Sequence, residues 1–206
     1  MEKMRAVIKE SAAPGAVFGE MPIPVIGETD LLVKVKATAI CGTDLHIMHW
    51  TPWAEETHIP CGSCRQCLTG NQHICESMKI VGVHVPGSFA EYISLPEACA
   101  WPLAQPVSYE QGAFLEPMGV AMHGVEAAGN LGGKDVLLLG SGPIGVMAAA
   151  IAASRGADQV ICTDLAPAKL ELARKMGATL ALPAEGASDV VMEATGGQGA
   201  DVVIDY

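Results

Sequence analysis

The sequence predicts a two-part α/β protein, in which a β-rich part with a metal-binding loop precedes a doubly wound parallel sheet. Three observations support this prediction: a strand–glycine turn–helix–strand pattern at 135–164, short alternating strands before residue 100, and four closely spaced cysteines between 61 and 75. The chain has 206 residues, of which 50% are hydrophobic, enough for one large or two small domains. The Gly-rich stretch 129–133 sets the predicted boundary, with domains at 1–130 and 131–206.

A glycine turn at 140–145 follows the apolar run Val136–Leu139 and opens a helix pattern of small residues. Its sequence, GSGPIG, matches the dinucleotide-binding fingerprint at the place in a βαβ unit where that fingerprint has a mechanism. The glycines permit a sharp exit from the strand, close approach of a pyrophosphate and close packing of the helix, whose N-terminus offers N–H groups to phosphate. The predicted cofactor-binding residues of the turn are Gly140, Gly142, Pro143, Ile144 and Gly145.

An acidic residue, Asp164, ends the second strand of this unit, 19 residues after Gly145. A carboxylate at that position accepts the two ribose hydroxyls and repels a 2′-phosphate, so the sequence predicts NAD in preference to NADP. Lys169 lies five residues further on, where its ammonium either reaches the ribose or lies in solvent. The alternative is a buried βαβ unit whose glycine turn binds no nucleotide.

Short strands dominate the chain before residue 100. Leu31–Ala39 alternates apolar and polar residues, as a half-buried antiparallel strand does. Further strands are predicted at Met4–Ile8, Ala16–Met21, Ile80–Val85 and Ser88–Leu95. After residue 131 strands alternate with helices, predicted at 167–176 and 188–195, which is typical of a parallel sheet.

Four cysteines have the spacing C-x2-C-x2-C-x7-C: Cys61, Cys64, Cys67 and Cys75. Four thiolates this close predict a closed tetrahedral zinc site, which holds a loop together and has no open position for chemistry. The alternative is an iron–sulfur cluster, since ferredoxin-type runs have similar spacing, but with proline after the last cysteine, where this chain has Glu76. The odd total of seven cysteines favours a reducing cytoplasm over a disulfide framework.

Other polar residues are candidates for a functional role. Cys41 lies beside a glycine, with Thr43 and His46 close behind it, although a single cysteine is more often a small buried residue. Glu116 stands just before Pro117 at the start of an apolar helix pattern, where an acidic residue is usually a partner of the helix dipole. His123 lies inside that pattern and is interpreted as a packed histidine.

The net charge of −11 argues against nucleic acid and anionic membranes as partners. The apolar stretch 136–153 is interrupted by the glycine turn, so strand plus helix is a better interpretation than a membrane span. The N-terminus carries no apolar signal stretch. We therefore expect a cytoplasmic protein.

Several of these motifs together resemble the zinc-dependent medium-chain dehydrogenases, the alcohol and polyol dehydrogenase superfamily. The motifs CGTDLH (41–46), FAEY (89–92), LEP (115–117) and GSGPIG occur in the order found in that family, and the resemblance covers nearly the whole chain. It implies a GroES-like β domain with a structural zinc lobe, a Rossmann domain, a second catalytic zinc, NAD and a homotetramer.

The resemblance also implies roles for individual residues. Cys41 would bind the catalytic zinc, Glu116 would bind or approach it, and Thr43 and His46 would bind the substrate and carry its proton. The implied reaction is oxidation of a secondary alcohol with hydride transfer to NAD. The stretch 39–54 is most similar to members that convert L-threonine to 2-amino-3-oxobutanoate; the alternatives are a polyol or diol dehydrogenase of the sorbitol or butanediol type, and a non-catalytic, zinc-stabilised nucleotide-binding protein.

Two departures from the family pattern stand out. The Gly-His-Glu motif that supplies two catalytic zinc ligands is missing between the CGTD strand and the four cysteines, where Ala54 runs directly into Glu55. We do not assign His58 as a replacement. The family's Rossmann sheet also continues with strands beyond the one that reaches Tyr206. We therefore expect both domains to be incomplete, because this sequence omits segments that the full polypeptide contains. The alternative is a polypeptide that is itself truncated.

Overall fold

A computed structural model of the chain describes residues 2–50 and 58–206, which form two compact units that divide between Ala113 and Phe114. The first unit contains three pairs of antiparallel strands: β1 (Lys3–Ile8) with β2 (Val17–Pro22), β3 (Asp30–Lys34) with β6 (Tyr92–Pro96), and β4 (His58–Ile59) with β5 (Lys79–Ile80). Its helices are α1 (Gly42–His49), α2 (Arg65–Leu68) and α3 (Tyr109–Gly112), with 3-10 turns at Gln72–Ile74 and Glu97–Cys99.

Three predicted strands of the first unit are shorter than expected. The strand predicted at Leu31–Ala39 ends at Lys34 and the strand predicted at Ser88–Leu95 begins at Tyr92, where the regular pairing of β3 with β6 stops. Beyond that point residues 89–91 bond to both neighbours, and the Val35 N–H still donates to the Glu91 carbonyl. The N–H of Glu91 donates to the Arg5 carbonyl, and Val7 N–H donates to the Phe89 carbonyl. The prediction of a strand over Ile80–Val85 is wrong beyond Ile80, because residues 82–84 form a turn in which the N–H groups of Val83 and His84 donate to the Ile80 carbonyl.

The second unit is a layered α/β structure around a four-stranded parallel sheet, as predicted. Its strands are ordered β10-β7-β8-β9. In chain order it consists of α4 (Leu115–Ala127), β7 (Asp135–Leu139), α5 (Pro143–Ser154), β8 (Gln159–Asp164), α6 (Pro167–Lys175), β9 (Leu180–Pro183), α7 (Ala187–Ala194) and β10 (Val202–Asp205).

The strand order creates a switch point between β7 and β10. From β7 the chain proceeds outward through β8 and β9 and then returns to the other side of β7. In open parallel sheets, ligands bind outside the carboxyl ends of the strands at such a point. The glycine turn follows β7 and Tyr206 follows β10, so both lie at this edge of the sheet.

Small side chains allow the elements of the second unit to pack closely around its core. Ala148, Ala149 and Ala152 of α5 are fully buried, and they allow α5 to pack closely against its neighbours. Helix α4 packs on α5, and the Tyr206 hydroxyl donates to the Ala121 carbonyl oxygen at 2.9 Å. The stretch 129–133, where the sequence analysis placed the domain boundary, thus joins two elements of one compact unit.

The first unit buries far fewer side chains. Among its described residues the buried apolar side chains are Met4, Ala6, Cys67, Cys75, Ile80 and Ile93. Large apolar side chains remain exposed, including Phe18 at 75% and Val25 at 87%. A unit with so little buried apolar surface gains little free energy from the hydrophobic effect. Among the described residues, no helix combines the length and apolar character needed to cross a bilayer.

The close approach of α5 to the end of β7 yields a stability prediction. A Cβ atom at Gly145 would overlap the carbonyl oxygen of Gly140 and lie 3.0 Å from its carbonyl carbon. Both atoms belong to the backbone and cannot rotate away. We therefore expect G145A to lower the free energy of unfolding by about 1–3 kcal/mol, measured by urea denaturation. The control is G142A, whose Cβ would meet no atom within 4 Å; equal stability of the two variants would contradict the prediction.

Candidate functional site

The glycine turn presents an open helix N-terminus at the switch point of the sheet. Gly140 adopts a φ of +94°, and a Cβ there would overlap the Tyr206 carbonyl oxygen. Gly142 is the N-cap of α5, and the first internal bond of the helix runs from Val146 N–H to the Gly142 carbonyl. The N–H groups of the first turn have no carbonyl partner within the helix, and the space in front of Gly142 is open. This geometry fits a pyrophosphate.

Asp164 lies at the carboxyl end of β8, where it is hydrogen-bonded to the glycine turn. Only 8% of the residue is exposed. Its Oδ2 accepts from Ser141 N–H at 2.9 Å and its Oδ1 accepts from Ala166 N–H at 2.8 Å. The Lys169 Nζ lies 3.3 Å from Oδ2, so the structure places this lysine beside the carboxylate. The remaining lone pairs of the carboxylate fit a ribose diol.

Hydrogen bonding keeps Asp164 ionised. The N–H of Ala166, together with the Ser141 N–H and the Lys169 ammonium, lowers the pKa of the Asp164 carboxyl below its ordinary value. Burial acts in the opposite direction but is outweighed. An ionised carboxylate accepts hydrogen bonds from hydroxyl groups and repels a phosphate. This edge of the sheet therefore fits a dinucleotide whose ribose carries free hydroxyl groups.

The four cysteines of the predicted metal site are gathered in space. Their Sγ atoms all lie within 4.8 Å of one another. Helix α2 begins just after Cys64 and carries Cys67, and backbone N–H groups support the sulfurs: Cys64 N–H lies 3.3 Å from Cys61 Sγ, and Cys61 N–H lies 3.2 Å from Cys75 Sγ. Four sulfurs with no room for a fifth group fit a closed structural zinc site.

The surroundings of these cysteines shift the pKa values of their thiols in different directions. Hydrogen bonds from Ser63 and Cys64 lower the pKa of Cys61 to about 6, and a hydrogen bond from the Cys67 backbone lowers the pKa of Cys64. Burial and the neighbouring thiols raise the pKa of Cys67 to about 12. At neutral pH Cys61 therefore favours the thiolate form that a metal requires, the pKa of Cys64 is shifted in the same direction, and zinc binding must displace a proton from Cys67.

Helix α1 holds three of the predicted catalytic residues. Cys41 is its N-cap, with its Sγ 3.5 Å from the Thr43 N–H and its own N–H donating to Asp44 Oδ2 at 2.7 Å. Asp44 thus completes a capping box, which fixes the start of the helix. Thr43 and His46 are three residues apart and lie on neighbouring positions of the helix surface. Cys41 and Thr43 are partly buried, whereas His46 is exposed.

The remaining predicted ligand, Glu116, lies in the first turn of α4 in the second unit and is exposed. In the described part of the first unit, the four-cysteine cluster is the only group of three or more possible metal ligands, so Cys41 is not joined there by two further ligands. The described residues of that unit therefore do not fit a catalytic zinc around Cys41. The junction of Ala54 and Glu55, where the Gly-His-Glu motif is missing, lies outside the described residues.

Two family profiles match the chain. The profile of the alcohol dehydrogenase GroES-like domain matches residues 53–105, and that of the zinc-binding dehydrogenase matches residues 143–206. An L-threonine 3-dehydrogenase of Bacillus velezensis is 37% identical over 238 residues, a match that covers 98% of this chain and 69% of the relative. The chain belongs to the zinc-dependent medium-chain dehydrogenase family.

Two further similarities show the same membership. An L-threonine 3-dehydrogenase of Streptomyces coelicolor is 41% identical over 214 residues, covering 87% of this chain. A protein from Sinorhizobium meliloti, designated a zinc-binding dehydrogenase and solved with NADP bound, superposes with a TM-score of 0.87 at 33% identity, covering 100% of this chain and 70% of that one. The GroES-like and Rossmann folds and the cofactor classes, zinc and a nicotinamide dinucleotide, are thereby confirmed for the family of this chain.

This dehydrogenase chain is shorter than its relatives. It spans 62% of the length of the Streptomyces coelicolor protein. The alignment to the Bacillus velezensis protein runs over 238 residues, more than the 206 residues present here, so that relative has at least 32 residues without a counterpart inside the aligned span. This difference agrees with the expected internal gap.

Removing a ligand from the cysteine cluster tests the structural metal. We expect the purified chain to contain zinc at the cluster, and C67S to lose that zinc and to melt at a lower temperature, because zinc binding contributes directly to folding of a weakly packed unit. Metal analysis and thermal denaturation measure both effects. The control is C99S, since Cys99 lies outside the cluster. Iron in place of zinc, or full zinc retention by C67S, would contradict the assignment.

Proposed function

We propose that this chain is part of an NAD-dependent dehydrogenase that oxidises a secondary alcohol. The observation that carries the proposal is the hydrogen bond from the glycine turn to the Asp164 carboxylate, which joins a phosphate-binding backbone to a ribose-binding side chain. Family membership supplies the class of reaction. Because the chain spans only part of the length of its relatives, every statement on the activity of the whole protein is a proposal.

The residues of the second unit have defined tasks in this proposal. The N–H groups at the start of α5 bind the pyrophosphate, aided by the positive end of the helix dipole. Asp164 accepts the ribose hydroxyls, and Lys169 stabilises its negative charge from the solvent side. The nicotinamide ring, when bound, accepts the hydride; the protein aligns it and excludes water. The ionised carboxylate favours NAD, although the Sinorhizobium meliloti protein was solved with NADP.

Helix α1 would act on the substrate. We propose that Thr43 and His46 bind the alcohol and pass its proton to solvent, a task suited to a partly buried hydroxyl and an exposed imidazole on one helix. In the family pattern Cys41 and Glu116 belong to the catalytic metal site. Since the described residues of the first unit do not complete that site, we derive no step through a metal.

L-threonine is the proposed substrate, with 2-amino-3-oxobutanoate as product. The support is the name of the relatives at 37–41% identity, L-threonine 3-dehydrogenase. A polyol or diol dehydrogenase shares every motif described above and is the first alternative. The second alternative is a zinc-stabilised nucleotide-binding protein without catalysis, which the missing Gly-His-Glu motif of this sequence favours. A homotetramer in the cytoplasm is proposed by analogy with the family.

Dinucleotide selectivity tests the role of Asp164. We expect D164S to weaken NADH binding by about 10- to 150-fold, since a charged hydrogen-bond partner of the ribose contributes about 1.5–3 kcal/mol, and to strengthen NADPH binding because the repelling charge is gone. Fluorescence titration measures both dissociation constants. The control is D158S, because Asp158 is exposed and precedes β8. Unchanged selectivity in D164S would contradict the assignment.

Substrate turnover tests the reaction itself. We expect NAD reduction to be faster with L-threonine than with butane-2,3-diol or sorbitol. We also expect C41S to reduce the rate by about 10–100-fold, the size of a lost positioning group, because Cys41 caps the helix that carries Thr43 and His46, without releasing zinc from the four-cysteine cluster. C99S serves as the cysteine control. Absence of turnover with all three alcohols, together with one zinc per chain and intact NADH binding, would instead support the non-catalytic alternative.

A further inference from the structure

Ser141 lies between the first two glycines of the turn and is almost completely buried, with 1% of its surface exposed. Its backbone N–H donates to Asp164 Oδ2 at 2.9 Å, and its hydroxyl donates to the Thr163 carbonyl oxygen at 3.1 Å. One residue of the turn is thus bonded to two consecutive residues at the end of β8. Sequence reasoning missed this residue, for which the only signal was a polar side chain inside a glycine turn.

The hydroxyl bond holds the turn in the position from which its N–H reaches Asp164. A rotation of the turn about β7 would move the Ser141 N–H away from the carboxylate, and the bond to Thr163 opposes that rotation. The Thr163 carbonyl oxygen also accepts from Gly140 N–H at 3.0 Å. Removal of the hydroxyl therefore leaves this buried oxygen with a partner, and the fold is expected to survive the change.

The orientation of the Asp164 carboxylate matters for ribose binding because its oxygens already accept hydrogen bonds from the protein. Ala166 N–H and Lys169 Nζ already occupy part of its accepting capacity, at 2.8 Å and 3.3 Å. Only the remaining lone pairs are available to a ribose diol, and hydrogen bonds weaken steeply when donor and acceptor are misaligned. A carboxylate that can rotate would therefore bind the diol less well, whereas its repulsion of a 2′-phosphate depends on its charge and would change little.

We propose that Ser141 is a positioning residue that fixes the Asp164 carboxylate for the ribose and thereby sets the preference for NADH over NADPH. This inference rests on the proposed function, because it requires that the glycine turn binds a dinucleotide. Ser141 acts through Asp164: its hydroxyl points to the strand, where it is bonded to a backbone carbonyl.

The test is S141A, titrated with NADH and with NADPH at the same pH and ionic strength. We expect the dissociation constant for NADH to rise about fivefold, the size of one lost hydrogen bond, and the constant for NADPH to change by less than about twofold. The ratio of the two constants is the decisive quantity. Both are measured on one sample, so a loss of folded protein lowers the number of sites without changing the ratio.

The matched control is S154A. Ser154 lies at the other end of α5, where its hydroxyl donates to the Ile151 carbonyl oxygen at 2.7 Å. It should keep the wild-type ratio. An unchanged ratio in S141A, or the same change in S154A, overturns the positioning role. Failure of the unsubstituted protein to bind NADH overturns the proposed function, and this outcome is distinguishable because it appears before any substitution is made.

Discussion

The second unit depends on a contact between two backbone segments that admits no side chain. Gly145 in the first turn of α5 lies against the Gly140 carbonyl, and Gly140 itself lies against the Tyr206 carbonyl. Three elements of the sheet-and-helix layer meet there at the switch point of the strands. Because the helix begins so close to the sheet, its N–H groups and the Asp164 carboxylate face the same edge. The binding geometry is thus a consequence of packing.

The two units are stabilised by different means. The second unit has a continuous apolar core of aliphatic and small side chains between helices and a parallel sheet. The first unit buries few apolar side chains among its described residues, and two of those are metal-site cysteines, Cys67 and Cys75. A metal that binds four thiolates contributes folding free energy that such a core cannot supply. We therefore expect the four-cysteine cluster to stabilise this unit when zinc is bound, whatever chemistry the whole protein performs.

The sequence was most informative where local pattern and tertiary structure coincide. The βαβ unit from Asp135 to Asp164 could be predicted because each glycine has a specific steric task, and the four cysteines because their spacing is chemically specific. The strand at Leu31–Ala39 was overextended because its regular pairing with β6 ends at Lys34, beyond which residues 89–91 also bond to β1, and only the three-dimensional structure shows this. Ser141 was missed because its role arises from a bond to a strand 22 residues away. The predicted roles of Cys41, Thr43, His46 and Glu116 stay predictions.

The central claim is that the turn at 140–145 and Asp164 together bind a dinucleotide. The most direct measurement is a 15N–1H NMR titration of the protein with NADH. The account predicts saturable shifts concentrated in the N–H groups of Ser141, Gly142, Ile144 and Gly145, with a second group at Ala166 and Lys169, which flank the carboxylate. Shifts confined to other parts of the sheet, or no saturable shifts at all, would contradict it.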